Sequence, residues 1–495
     1  MTITHSHTLS RPSHDWWRRI SITFVPGPAS PFLEKVAENL LGRARENGHF
    51  IKTIPDPGTD VILTTAQFGQ PVRWRDALLF TARRRYGLDH APTVFTLVQA
   101  TPAQFKQLFE HFRNALAKEP PDPQDFAFEG LAPGAYQPLV EQGRRGGPML
   151  ALLRTLQTQA LSIRVILVVG EDEPVEAYTF DLVGAHPRTD AAVPELFYED
   201  LISRIVTAVS TGEITSHQVV EGPVPQEVWQ SLTTPAAMRE AGRELGKRSF
   251  FTQMVRVDSL ATVPSLQDAI SSQYSEGCFA TWDPDLKGLV TTVTGSARPV
   301  VKDNLTDDEL AVIVGVRPDG RGALVRHVEG KRNDPPSSEA VELMEMDSNL
   351  PAIPAQVALG EGGSVSGEVP VARSKLHGHR GVKAYDPSQA EHVSLDRPFY
   401  YYPVSCSTEA QAQAIKSAFG RSQALNDPQD PRQVVFTVLP GHGVVIVEKW
   451  VPGKAPFQVM WEFMDAGYLQ VENAIPQGPL EYAMGENGMM ELKVG

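Results

Sequence analysis

The sequence predicts an α/β protein built in several parts. Three observations predict it. Short apolar, strand-like runs alternate with helix-like segments through the first half. The texture turns strand-rich from about residue 265. The 495 residues exceed what a single core usually holds. Three regions are expected: an N-terminal α/β domain over residues 1–120, a second α/β region and bridge over 121–245, and a strand-rich α/β domain over 246–495. The alternation in the first two implies Rossmann-like, parallel sheet structure.

Residues 20–25 read as a strand that runs into the turn "VPGPAS". Ser30 is placed to cap the helix that follows, with Pro31 at its first position. Phe32, Val36, Leu40 and Leu41 then recur at helical spacing. "DVILTTA" (residues 60–66) and "TVFTLVQA" (residues 93–100) read as buried strands. The VPGPAS turn lies at a strand's carboxyl end, where open α/β sheets bind ligands. It lacks the G-x-G-x-x-G pattern, and its prolines remove donors that a phosphate would need, so it reads as a structural turn. "LAKEPPDPQD" interrupts the pattern at residues 116–125. "RVILVVG", "EAYTFDLVG" and a helical run from about 194 to 209 continue the α/β texture. The proline-punctuated stretch after residue 219 reads as a bridge, with a boundary between about 235 and 265.

Composition excludes several classes. Hydrophobic residues make up 41% and charged residues 21%, as in soluble globular proteins. A net charge of -14 repels phosphate backbones, so nucleic acid is not an expected partner. The one dense basic cluster, Arg83–Arg85 before Tyr86, reads as a solvated helix face. Two cysteines, Cys278 and Cys406, build neither a disulfide framework nor a C-x-x-C pair, which fits a reducing cytoplasm. The N-terminus has no apolar core and reads as no secretory signal; His5 and His7 sit in its polar tail. No run approaches the roughly eighteen apolar residues of a membrane span.

The second half carries the chemistry. "LTDDELAVIVGV" reads as a capped turn followed by a strand. Ser337 and Ser338 precede a helix starting near Glu339, where backbone N–H groups and hydroxyls either bind an anion or merely cap the helix. In "SKLHGHRGVKAY", His377 and His379 flank one glycine. On an extended segment both rings point to one side, which is a way to hold two corners of a metal.

These segments, in this order, resemble the class II aldolase/adducin family over about residues 265–455. The residues that carry the resemblance are Gly277-Cys278, Thr294-Gly295, "LTDDELAVIVGV", Pro336-Ser337-Ser338-Glu339, "YYYPVSCSTEAQAQAIKSAF" and "LPGHGVVIVEKW" around His442. The resemblance implies an α/β/α domain with a mainly antiparallel central sheet and subunits assembled as homo-oligomers, often tetramers. It also implies a divalent metal, usually zinc, held by three histidines. Carried onto this chain, His377, His379 and His442 are the metal ligands and Glu339 the acid/base. Thr294, Gly295, Ser337 and Ser338 face a phosphate or carboxylate of a sugar-like substrate. Three neutral imidazoles leave zinc open positions for a carbonyl and its neighbouring hydroxyl, and a nearby carboxylate moves the proton. That chemistry serves retro-aldol cleavage, isomerisation or epimerisation through an enediolate. The chain departs from the family at Cys278, where an asparagine is usual, and at Ala280, where a serine is usual. It also has no histidine near Ala358, where the family pair would fall by spacing.

Other residues have plainer readings. His327 and Glu329 alternate along an exposed strand. Glu448 follows His442 by six residues and reads as a surface glutamate or as a carboxylate orienting an imidazole. His392 is a substitute ligand, Cys278 a buried structural thiol, and Tyr400–Tyr402 alternate between core and interface. Two functions from different classes follow: a metal-dependent lyase or isomerase, and a non-catalytic aldolase-like scaffold that binds a ligand or partner.

Overall fold

The computed structural model describes residues 19–68, 93–126, 148–180, 189–209, 214–250, 277–294, 302–360, 366–395, 407–439 and 443–473, apart from isolated positions within them. It also describes residue 140 and the short strands Tyr482–Met484 and Met490–Leu492. Arg83–Arg85, Tyr400–Tyr402, Cys406, Gly295 and His442 lie outside these residues, as do His5 and His7.

A seven-stranded sheet holds β1 (Ser21–Val25), β2 (Phe50–Lys52), β3 (Val61–Gln67), β4 (Thr93–Ala100), β5 (Arg164–Gly170), β6 (Pro174–Phe180) and β7 (Thr189–Asp190). Its order is β2-β1-β3-β4-β5-β6-β7. The strands from β2 to β5 pair in parallel, and β6 and β7 add antiparallel. The two regions expected at 1–120 and 121–245 therefore share one sheet. Helices α1 (Pro31–Glu46) and α3 (Pro194–Val209) cover one face; α2 (Pro102–Leu116) lies on the other.

Local chemistry explains the first unit. The Ser30 hydroxyl accepts the Leu33 N–H at 3.1 Å and Pro31 opens α1. Phe32, Val36 and Leu40 are buried and Leu41 partly so. In the VPGPAS turn the Gly27 N–H donates to Thr65 Oγ1 at 3.0 Å. A Cβ at Gly27 would lie 2.1 Å from the Thr65 carbonyl oxygen, so the loop is packed on β3 as a structural turn.

A nine-stranded sheet organises the second half. It holds β8 (Gln218–Val219), β9 (Cys278–Asp283), β10 (Gly288–Thr292), β11 (Leu310–Val316) and β12 (Ala323–Arg326). After the small ribbon of β13 (Ala352–Pro354) and β14 (Glu368–Pro370) comes β15 (Ala372–Gly378), back in the large sheet. Strand β16 (Arg380–Tyr385) pairs elsewhere, with β20 (Leu469–Asn473). Strands β17 (Ala390–His392), β18 (Val434–Leu439) and β19 (Gly443–Lys449) complete the nine. The order is β17-β18-β19-β15-β9-β10-β11-β12-β8, and only the outermost strands, β17 and β8, pair in parallel. The sheet is thus mainly antiparallel, with helices on both faces. Helices α5 (Glu339–Glu345) and α6 (Glu409–Gly420) pack on one face. Helices α4 (Thr234–Lys247) and α7 (Gln458–Asp465) pack on the other. No described helix is long and apolar enough to cross a membrane.

Residues 214–247 contribute to this second core. Strand β8 extends the sheet, and Val224, Trp229, Met238, Ala241 and Leu245 are buried in it. The Trp229 indole N–H donates to Asp307 at 3.0 Å, and the Lys331 ammonium sits 4.2 Å from its ring centroid. The prolines that resemble a linker in sequence instead stand at the starts of two helices, Gln226–Ser231 and α4.

Glu448, read from sequence as a surface glutamate or an imidazole partner, is neither. It is 1% exposed on the face away from α5. Its carboxyl accepts the Phe457 N–H at 2.8 Å, the Met460 N–H at 3.1 Å and the Ser374 hydroxyl at 2.9 Å, and so ties the first turn of α7 to β19. Burial pushes it from an ordinary 4.5 up to about 7. The native protein therefore binds this proton across a range where the unfolded chain has released it. Stability should fall as pH rises from about 4.5 to about 7 and level off above. The displacement corresponds to on the order of 3 kcal/mol, at about 1.4 kcal/mol per pH unit. Denaturant titrations at pH 5 and 8 check this. Glu448→Gln should remove that part of the slope, and an unchanged slope would refute the assignment.

Candidate metal centre

The site grows from three sequence segments that the sheet brings together. Strand β15 lies between β19 and β9, with His377 opposite Val445 on one side and Cys278 on the other. Strand alternation puts Lys375 and His377 on the face covered by α5, and Ser374 and Leu376 on the opposite face. The strands on both sides begin with glycine or just after one, because β15 is approached very closely. A Cβ at Gly277, itself at φ +56°, would meet the His377 carbonyl oxygen at 2.2 Å. One at Gly443 would meet that of Gly378 at 2.0 Å. The glycines of the two sequence motifs thus serve strand packing at the histidine pair.

Glu339, the first residue of α5, comes down onto this face. Its Oε1 stands 3.2 Å from His377 Nε2 and 3.9 Å from His379 Nε2. All three residues are buried, at 7%, 1% and 2% exposure, and a ligand atom from each lies within 4.8 Å of the others. The rings are 5.5 Å apart between centroids and inclined at 69°. His377 Nδ1 is 3.1 Å from the Val444 carbonyl oxygen. A carbonyl only accepts, so Nδ1 carries the hydrogen, and in the neutral ring Nε2 is a bare lone pair. That lone pair faces a carboxylate oxygen. Two electron-rich atoms so close need a proton or a cation between them.

The donor set fits a divalent ion. Two ligands each about 2.0–2.1 Å from zinc at a tetrahedral angle stand about 3.3 Å apart, close to the 3.2 Å found here. The contact from Nδ1 to a main-chain carbonyl is the outer support that ligating histidines usually have. The group could bind a metal ion, through Glu339, His377 and His379.

The electrostatics separate two carboxyls on one helix. Burial alone would raise Glu339, but the His377 and His379 rings, when they carry the proton that the close contact calls for, hold it well below the usual carboxylate range. Glu342, one turn along and 1% exposed, is pushed well above that range by burial and by Glu339. Its Oε1 has no hydrogen-bond partner among the described residues. Two carboxyls on one helix whose environments push them in opposite directions are the arrangement from which acid/base chemistry is built. Burial, and then Glu339, also push the Cys278 thiol well up, so it is no nucleophile.

The other expected residues are placed as follows. Pro335–Ser337 runs beside Thr292–Thr294, with the Ser337 N–H on Thr292 and the Thr294 N–H on Pro335, each at 2.9 Å. Thr294 is exposed and Ser337 buried. Ser338 bonds Ser407 through its hydroxyl and makes no side-chain cap to α5. His392 is stacked on Phe436, 5.1 Å between centroids, with burial lowering it to about 4; it is not in the cluster. Glu329 is exposed. Sequence reasoning missed Glu342, although its i+3 spacing from Glu339 on a helix was a usable signal. It also missed the buried Lys302, whose ammonium donates to the Gly277 carbonyl, for which no local signal exists.

No protein-family model, curated protein or solved structure matches the chain.

Proposed function

We propose that the second half is a class II aldolase-like domain that cleaves or isomerises a sugar-like hydroxycarbonyl compound with a divalent metal, zinc in the first instance. The observation that supports this reading is the buried meeting of Glu339, His377 and His379. His377 and His379 would hold the ion with His442, which the resemblance supplies as third ligand. A divalent ion in such a site polarises a carbonyl as a Lewis acid. Glu339, whose carboxylate lies beside both rings, is assigned by the resemblance as the acid/base that moves the proton beside that carbonyl; in that role His442, and not Glu339, is the third ligand. Glu342, one turn away and pushed up by burial and by Glu339, is a second carboxyl on the same helix. Ser337, Ser338, Thr294 and Gly295 are assigned to the polar end of the substrate. The N-terminal sheet is read as a Rossmann-like unit that shapes the pocket or the homo-oligomer, a tetramer by resemblance, in a cytoplasmic protein.

A second reading is a non-catalytic aldolase-like scaffold, favoured by Cys278 and Ala280 where the family has polar residues. Metal analysis of gently purified full-length protein separates the two. The enzyme reading expects close to one zinc, manganese, iron, cobalt or nickel per chain; only traces of all five would end it.

A further inference from the structure

Lys375 is fully buried, at 0% exposure. Its ammonium donates to the Leu343 carbonyl oxygen at 2.7 Å and pairs with the Asp347 carboxylate. Both acceptors belong to the C-terminal end of α5 and the turn after it. The N-terminal end of the same helix carries Glu339, and the same face of the same strand carries His377. The helix rises about 6 Å over the four residues from 339 to 343. The strand advances about 6.8 Å over the two residues from 375 to 377. The steps match, so α5 is clasped to β15 at two points, Glu339 on His377 and Leu343 with Asp347 on Lys375.

A buried ion pair seldom stabilises a fold more than apolar groups of the same shape would, and its best-attested use is to fix a register. Here the register matters. A slide of one helical residue moves Glu339 by about 1.5 Å and turns it by about 100°, which breaks a 3.2 Å contact. Apolar packing alone resists such a slide weakly, because the underside of α5 (Ala340, Val341, Leu343) is built of small and medium residues. We propose that Lys375, paired with Asp347, is a positioning residue for the metal centre, setting where Glu339 stands over His377 and His379. This rests on the metal reading above and adds to it a residue that touches no ligand.

The test is zinc titration by calorimetry on full-length protein, with melting temperature measured in parallel. Lys375→Met alone strands a buried carboxylate and is expected to lower both. The decisive variant is Lys375→Met/Asp347→Leu, which removes both charges. Its melting temperature should return close to that of the wild type while its zinc dissociation constant stays raised about 10–100-fold, the usual cost of losing an outer support. The visible bands of bound cobalt(II), which report ligand geometry, should change as well. If the double variant binds zinc as tightly as the wild type with the same cobalt spectrum, the pair is only structural and the proposal is overturned. Should that variant not fold, Asp347→Asn keeps the side-chain shape, and unchanged zinc affinity in it overturns the proposal equally. A wild type that takes up neither ion overturns the metal reading, and this inference with it.

Discussion

His377→Ala is expected to strip the protein of its metal while leaving the fold in place. The ring is the best-held donor of the cluster, with Nδ1 fixed on the Val444 carbonyl and Nε2 aligned with Glu339. Deleting it takes one of the three proposed histidine ligands, and the remaining two hold a divalent ion too weakly to keep it against buffer. The strand survives because β15 pairs through its backbone with β9 and β19 on both sides. Metal content should therefore drop from near stoichiometric to near zero, with circular dichroism unchanged. His379→Ala and His442→Ala should behave alike. His392→Ala, whose ring stacks on Phe436 away from the cluster, should retain full metal and is the control. Full metal retention in His377→Ala would remove the cluster from consideration.

Glu339→Gln is expected to be the most damaging change to turnover once a substrate is identified. The amide keeps the shape and an oxygen near the rings but accepts no proton, so a rate loss of about 10²–10⁴-fold is expected, the usual contribution of a general acid or base. If turnover were undiminished, the base would have to be another carboxyl. Glu448 faces the opposite layer and Glu329 is exposed, so neither replaces it, and the general-base reading would be overturned.

Much of the fold was legible where one short-range signal decides. Ser30 and Pro31 announce the start of α1, and the continuous apolar run Thr93–Ala100 is strand β4 residue for residue. Of the candidate cluster, strand period two places His377 on the α5 side of β15 and the start of a helix places Glu339; His379 stands one residue past the end of β15, so its place depends on the bend that follows. What failed depended on distant partners. Glu448 follows His442 by six residues in sequence, but whether a layer covers its face is decided by the start of α7, where the N–H groups of Phe457 and Met460 meet its carboxyl. Lys375 looks like a surface lysine until Asp347, 28 residues earlier, closes over it. The prolines between 222 and 235 signal chain breaks equally well in a linker and in helices that start against a sheet.

Strand β15 has two occupied faces, and each makes a different demand. One presents Lys375 and His377 to α5; the other presents Ser374 to Glu448 and the first turn of α7. A pairing error of one residue exchanges the faces. It would turn an ammonium and an imidazole into an apolar layer lined by Phe279 and Phe457, and leave the buried acid without its hydroxyl. Misregistered chains would thus be unable to assemble the ligand set at all. Metal uptake during refolding should consequently count correctly threaded molecules, giving a chemical readout of strand registration in a protein too large for its folding to be followed by secondary structure alone.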